Sequence, residues 1–418
     1  MLARIRDRNI RLVYLAIFLL GTAYGISIAV TALFLDARGF SKTEIGQLAA
    51  IFASGIVVTS LPVGALLRRF SAKTTLTASL VGYAATVALF PRLPGFGAIA
   101  LARFFDGAFS VGIWVSCETI LLMRSDADNK AYVTSLYAVA IAVGYVVGPL
   151  AAQPIARAFS LGAAFFVAAV IAMAAAAVVA TRLDPDPPGA HEQQATEDGP
   201  GADDAAKSVS LARASTSRLL ARIKTSCFAT FAYGYFQASV VLFLPLYLIE
   251  SKGIARETTI LVPAFFAAGM LLFSNAAGRV GDRVGHLLVM RVLGVIGLSM
   301  ILGFVYLDTF PPMAAAVFVA GATLASISPV SLAFQGVVTP KHDYSRSNAI
   351  YNFCYAAGML LGPPVSSLVF RRFGGAVMLY HLAAIWMAFV IFATVFAGDD
   401  PARARRLHRH LTRLTPRA

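Results

Sequence analysis

Charge is scarce in this chain. Only 13% of its 418 residues are Asp, Glu, Lys or Arg, about half the usual share of a soluble domain. That is too little charge to clothe a water-facing surface for a protein of this length. Cysteine is scarce as well. Cys117, Cys227 and Cys354 all fall inside apolar runs, which argues against an extracytoplasmic disulfide framework and makes them small packing residues. There is no G-x-x-x-x-G-K-[ST] loop, so an ATP-driven pump is disfavoured. There is no H-E-x-x-H helix or His-rich face either, so neither a metal site nor an intramembrane enzyme is expected.

What the chain has in abundance is apolar length. Hydrophobic residues make up 58% of it, gathered into runs long enough to cross a hydrocarbon core as helices. Twelve can be read, near 11–35, 43–67, 74–91, 96–123, 131–157, 161–181, 225–249, 257–278, 286–307, 312–338, 346–370 and 376–397. The runs are continuous rather than alternating, which excludes a lipid-facing barrel. A formal net charge of +14 invites a nucleic-acid reading. However, most Lys and Arg fall at one side of the spans when both termini are placed in the cytoplasm, as the positive-inside bias requires. The basic tail from Arg403 to His410 then reads as an anchor near anionic lipid. The expected setting is a bacterial inner membrane crossed many times, with the bilayer and a small molecule as partners, no nucleic acid, and a monomeric state.

Between the sixth and seventh runs the composition changes. Asp184–Pro185–Asp186–Pro187–Pro188 and Glu197–Asp198–Gly199–Pro200–Gly201 cannot bury enough apolar surface to order themselves. Leu211 to Arg222 has the pattern of a short basic amphipathic helix on a membrane surface. The division that follows is an N-terminal bundle at 1–181, a linker at 182–223, a C-terminal bundle at 224–398 and a basic tail at 399–418.

The two bundles repeat each other at an offset of 214 residues. Gly64 matches Gly278 and Gly107 matches Gly321. Tyr137, Gly144, Gly148 and Pro149 match Tyr351, Gly358, Gly362 and Pro363. Duplicated six-span bundles enclose a cleft near the membrane midplane, which is where a carrier binds its cargo. The glycines of the last set are spaced for close helix packing, and the prolines bend their helices.

Deep ionisable groups are costly in a membrane and mark function. The fourth span holds Arg103, Asp106 and Glu118, whereas its repeat partners are Val317, Ala320 and Leu332. Arg103 and Asp106 are neighbours on one helix face. Glu118 lies about 22 Å further along the axis and is rotated by about 60°, so all three can face one cavity. Two readings stand: a static buried Arg–Asp pair, or a set that carries a proton or binds a charged substrate, with Glu118 as first choice for the titrating site. Trp114 is a candidate wall of the same cavity. His381, near the end of the last span, is expected at the interface.

At the end of the eighth span Gly278–Arg279–Val280–Gly281–Asp282–Arg283–Val284–Gly285 resembles the loop motif G-x-x-x-D-R-x-G of the major facilitator superfamily. Its first-half copy is degraded, with Arg68 where the Asp belongs. Arg103–Phe104–Phe105–Asp106–Gly107 is similar to the family motif R-x-x-Q-G with Asp for Gln. Gly144–Tyr145–Val146–Val147–Gly148–Pro149 resembles the G-x-x-x-G-P motif of its drug-efflux branch, although the match in the eleventh span equally suits packing without directional meaning. The resemblance implies an all-α fold of twelve transmembrane helices in two pseudo-symmetric bundles, working by alternating access. It implies a conformational gate at Gly278, Arg279, Asp282, Arg283 and Gly285, with Asp282 meeting the start of the fifth span near Asp126, Asp128 and Lys130, and with Arg279 and Arg283 meeting acids. It also implies cavity-lining positions in spans one, seven and eleven: Tyr24, Ser27 and Thr31; Tyr233, Tyr235 and Gln237; Asn348, Asn352 and Tyr355. The activity implied is proton-coupled export of a small organic molecule, driven by the proton gradient without a cofactor. The alternative is a proton-coupled symporter or uniporter for a sugar or other small metabolite.

Overall fold

A computed structural model describes residues 7–125, 130–184, 216–340 and 343–400. Twelve helices in it are long and apolar enough to span a membrane. They are α1 (Arg8–Ala37), α2 (Lys42–Phe70), α3 (Ala72–Leu89), α4 (Phe96–Met123), α5 (Lys130–Ala158), α6 (Leu161–Arg182), α7 (Thr216–Lys252), α8 (Val262–Val284), α9 (His286–Phe304), α10 (Phe310–Ala320, continued through a π-turn at Gly321–Ala325 into Ser326–Val338), α11 (Tyr344–Phe373) and α12 (Gly375–Val395). The chain is all helical across its described spans, as its unbroken apolar runs dictate. Helix α7 starts at Thr216, so the end of the stretch read as a surface helix is the first turns of a span. Residues 185–215 and 401–418, with Asp126 and Asp128, lie outside the described residues.

An even number of crossings puts residues 7 and 400 on the same face, called here the terminal face; the other is the distal face. Local chemistry sets the helix ends. Ser41 caps α2, with its hydroxyl taking the Glu44 N–H while the Glu44 carboxylate takes the Ser41 N–H at 2.8 Å, a reciprocal arrangement that satisfies two orphan donors. Gly285 sits at φ 94° between α8 and α9, a conformation that favours glycine.

The repeat is written into the helix contacts. A Cβ on Gly107 would lie 2.1 Å from the Phe52 carbonyl oxygen, and one on Gly321 would lie 2.0 Å from that of Phe266. Gly55 and Gly269 make the reverse contacts, on Phe104 and Phe318. Thus α2 meets α4 as α8 meets α10, backbone to backbone. Gly144 and Gly148 face the backbone of α1 around Gly21 and Gly25, where a Cβ would find its nearest atom at 2.6 Å, while Gly358 and Gly362 approach the backbone of Phe231 and Tyr235 in α7. With lipid as apolar as leucine, such small-residue contacts are what hold helices together. Gly278, in contrast, has open space around its Cβ position, so its match with Gly64 does not mark a close approach.

The halves meet on the distal face. Lys42 of α2 pairs with Glu250 of α7 at 2.7 Å, and Arg256, on a short helical turn before α8, pairs with Asp36 of α1 at 3.2 Å. Lys42 also sits 4.8 Å from the Phe370 ring centroid of α11, and a Cβ on Gly46 would meet the Pro363 oxygen at 2.8 Å. At the terminal face Asn9 donates to Asp184 at 3.1 Å and Lys224 pairs with Asp399 at 2.6 Å, each within one half. The structure is therefore sealed distally. Partly exposed pairs of this kind contribute under about 1 kcal/mol each. Lys42→Ala with Asp36→Ala should accordingly shift the balance of states only several-fold toward distal opening. Spin labels on the exposed distal residues Phe159 and Tyr306 would report it as a longer-distance population, and unchanged distances would show that helix packing alone sets the seal.

Candidate functional site

Beneath the distal seal lies a cavity of about 150 Å³. Helices of both halves line it: Tyr24, Ser27 and Thr31 from α1, Ala49 and Phe52 from α2, Arg103, Asp106 and Trp114 from α4, Tyr145 from α5, Gln237 from α7, and Tyr355 and Met359 from α11.

The charged centre is on α4. Arg103 Nη1 donates to Asp106 Oδ2 at 2.5 Å across one turn, and both side chains are largely buried. The Arg103 guanidinium also lies 4.4 Å from the Phe52 ring centroid, a cation–π contact that is strong where water is excluded. Asp106 Oδ1 is buried with no partner in the protein.

An aromatic wall adjoins this pair. The Tyr24 ring stacks on Tyr83 at 4.8 Å, lies 6.1 Å from Trp114 and meets Tyr145 edge-on at 6.4 Å. Tyr24 Oη and Trp114 Nε1 are buried without protein partners. Across the cavity the Tyr355 hydroxyl donates to Gln237 Oε1 at 2.9 Å, which ties α11 to α7. Ser27 and Thr31 line the cavity, but Ser27 donates to the Tyr24 carbonyl at 3.1 Å and Thr31 to the Ser27 carbonyl at 2.6 Å. They therefore offer a ligand acceptors rather than protons.

Other sequence candidates sit elsewhere. Glu118 is exposed, one turn beyond Trp114 toward the terminal face, outside the enclosed cavity. Asn348 and Asn352 are exposed as well and continue the stripe of Tyr355 and Met359 toward that same face. All three lie outside the enclosed cavity, on the terminal-face side of the residues that line it. Tyr233 stands behind Tyr355, its ring stacked at 6.1 Å and its hydroxyl directed to Met270 Sδ at 3.9 Å. Tyr235 turns away from the cavity altogether. Its hydroxyl bonds His381 Nε2 at 2.9 Å, because α7 is rotated to press the Tyr235 backbone against Gly362. His381 is accordingly half-buried against α7.

The loop motif is not engaged with α5 among the described residues. Asp282 Oδ1 faces His286 Nε2 at 3.2 Å and its side chain is 70% exposed; Arg279 and Arg283 are exposed too. Sequence reasoning missed Ala49, Phe52 and Tyr145. Phe52 is one of many apolar residues on α2, and nothing in its spacing sets it apart. Tyr145 carried a signal, as a polar aromatic directly after a packing glycine. Among the described residues no group of three His, Cys, Asp or Glu is placed to hold a metal ion.

A family model described as Major Facilitator Superfamily matches residues 13–308 and again 226–416. The uncharacterized MFS-type transporter YcaD of Salmonella arizonae is 24% identical over 400 residues, spanning 94% of this chain and 97% of its own. YcaD of Escherichia coli O7:K1 is 23% identical over 394 residues, with the same coverage. In structure, the chain is similar to the nucleoside transporter NupG, at a TM-score of 0.70 and 15% identity, covering 94% of this chain and 98% of that one. It is equally similar to a bacterial homolog of the human lysosomal transporter Spinster in an inward-facing and occupied conformation, at a TM-score of 0.70 and 11% identity, covering 93% and 95%.

Proposed function

This chain belongs to the major facilitator superfamily, and on that premise we propose that it exports a small organic molecule in exchange for protons, from the central cavity. One observation carries the choice of site: the cavity is lined from both halves and closed toward the distal face. A rocking motion of the halves about such a site exposes it to each face in turn. The positive-inside bias supports cytoplasmic termini; on that orientation we read the distal closure as an inward-open state and the exposed Asp282 motif as a gate that closes in the opposite one.

Coupling is placed on Asp106, with Glu118 as a relay in the approach. A proton on Asp106 weakens its bond to Arg103 and converts an acceptor into a donor, so proton and cargo compete for one carboxylate. Competition of that kind yields exchange rather than joint movement. Uptake together with protons is the second reading, since one fold serves transport in either direction.

Proteoliposomes with an imposed pH gradient and an internal pH dye separate the two. Compounds that stabilise the purified protein in a thermal screen serve as cargo. For exchange, adding cargo to the side lacking protons should speed gradient collapse, while adding it to the acidic side should not. The reverse pattern would establish uptake. Cargo movement with no proton flux at all would remove the role given to Asp106.

A further inference from the structure

The buried polar atoms left unsatisfied on residues that line the cavity define a ligand more narrowly than the fold does. Asp106 is only 8% exposed, and its carboxylate spends one oxygen on Arg103 while Oδ1 waits for a donor. Tyr24, 4% exposed, and Trp114 present a hydroxyl and an indole N–H with no protein partner. Buried polar groups left unpaired are costly, so a ligand that pairs them gains specificity as well as affinity. Around them stand the faces and edges of Tyr24, Trp114 and Tyr145, and Gln237, whose Oε1 is already taken by Tyr355. That leaves the Gln237 amide hydrogens to donate.

Charge decides the rest. Arg103 and Asp106 are the only Arg, Lys, His, Asp or Glu among the described lining residues, and they neutralise one another at 2.5 Å. A cation on Oδ1 would also lie close to the guanidinium, and an anion drawn to the guanidinium would lie close to the carboxylate. In either case attraction and repulsion nearly cancel, while the ligand still loses its hydration. We propose that the cavity selects an uncharged, planar aromatic molecule bearing an N–H or O–H donor beside a hydrogen-bond acceptor. The donor lies on Asp106 Oδ1, the acceptor takes the Trp114 indole N–H or the Tyr24 hydroxyl, and the ring packs on the aromatic wall. This rests on the reading of the central cavity as the transport site.

Four compounds built on one benzene ring test it on the full-length protein in detergent. Benzamide is neutral and carries donor and acceptor, benzoate is the anion, benzamidinium is the cation, and N,N-dimethylbenzamide lacks the donor. Equilibrium dialysis of labelled benzamide against wild-type protein, with the others as competitors, gives the affinities. Trp386→Phe leaves Trp114 as the sole tryptophan, so a change in its emission on titration locates the bound ring. Trp386 is fully buried; should that variant fail to fold, dialysis on the wild type still decides the ranking. Benzamide is expected to bind at least about tenfold more tightly than each of the other three, the worth of about one hydrogen bond to a charged acceptor. Equal or tighter binding of benzamidinium or benzoate overturns the uncharged class. Equal binding of the dimethyl compound overturns the donor to Asp106, and saturating benzamide that leaves Trp114 emission unchanged overturns the location. An absence of binding by all four overturns the proposal as a whole. Binding as expected without flux in proteoliposomes would instead sink the carrier reading and leave the ligand class standing.

Discussion

Loss of transport together with a lowered melting temperature is the expected result of Arg103→Ala. The substitution leaves the Asp106 carboxylate largely buried with no cation in contact, and removing one partner of a buried pair costs about 3–5 kcal/mol. It also removes the guanidinium from the Phe52 ring. Flux should fall by more than about a hundredfold, since a cost of that size acts on the cargo site itself. Asp106→Asn should abolish proton coupling while losing less stability, because the amide oxygen still accepts from Arg103. The discriminating variant is the exchange Arg103→Asp with Asp106→Arg. If the pair is a static scaffold, the swap restores both stability and transport. On the reading adopted here it restores stability only, since the free carboxylate oxygen no longer faces the aromatic wall. A thermal melt and a flux measurement on the same preparation decide between them, and restored flux would return the pair to the scaffold.

Gly107→Leu and Gly321→Leu should each prevent the chain from accumulating as folded protein. At both positions the first side-chain atom would already stand 2.0–2.1 Å from a carbonyl oxygen of the facing helix, well inside contact distance, and the obstacle is backbone rather than a side chain that can swing aside. Overpacking typically costs about 1–3 kcal/mol when neighbours can shift; here the axes of α2 and α4, or of α8 and α10, must separate. Fluorescence-detected size exclusion would show aggregated or absent protein, whereas Gly278→Leu, with open space around it, should run as the wild type. Equal behaviour of all three variants would mean that the repeat does not mark helix contacts.

That contrast shows how far sequence alone reaches. Run length and hydropathy determined the twelve spans, because crossing a hydrocarbon core demands a fixed length of satisfied backbone. The repeat offset determined which helices correspond, and the lone charges of α4 pointed to Arg103 and Asp106. Spacing along one helix could place Arg103 beside Asp106, since that contact lies within a single turn. It could not place Tyr235, Phe52 or Glu118. Which face of a helix looks into the cavity depends on its rotation about its own axis, and packing sets that rotation: Gly362 drives the Tyr235 backbone into contact and swings its ring toward His381. Whether a residue further along the same stripe is enclosed depends on how the halves tilt. The pairs Lys42–Glu250 and Asp36–Arg256 link the halves at one face, while Glu118, Asn348 and Asn352 are exposed toward the other. The sequence thus determined the spans, their duplication and the charged pair, while the tertiary structure decided which side chains share the cavity, because rotation and tilt are properties of contacts between helices and are written in no single one of them.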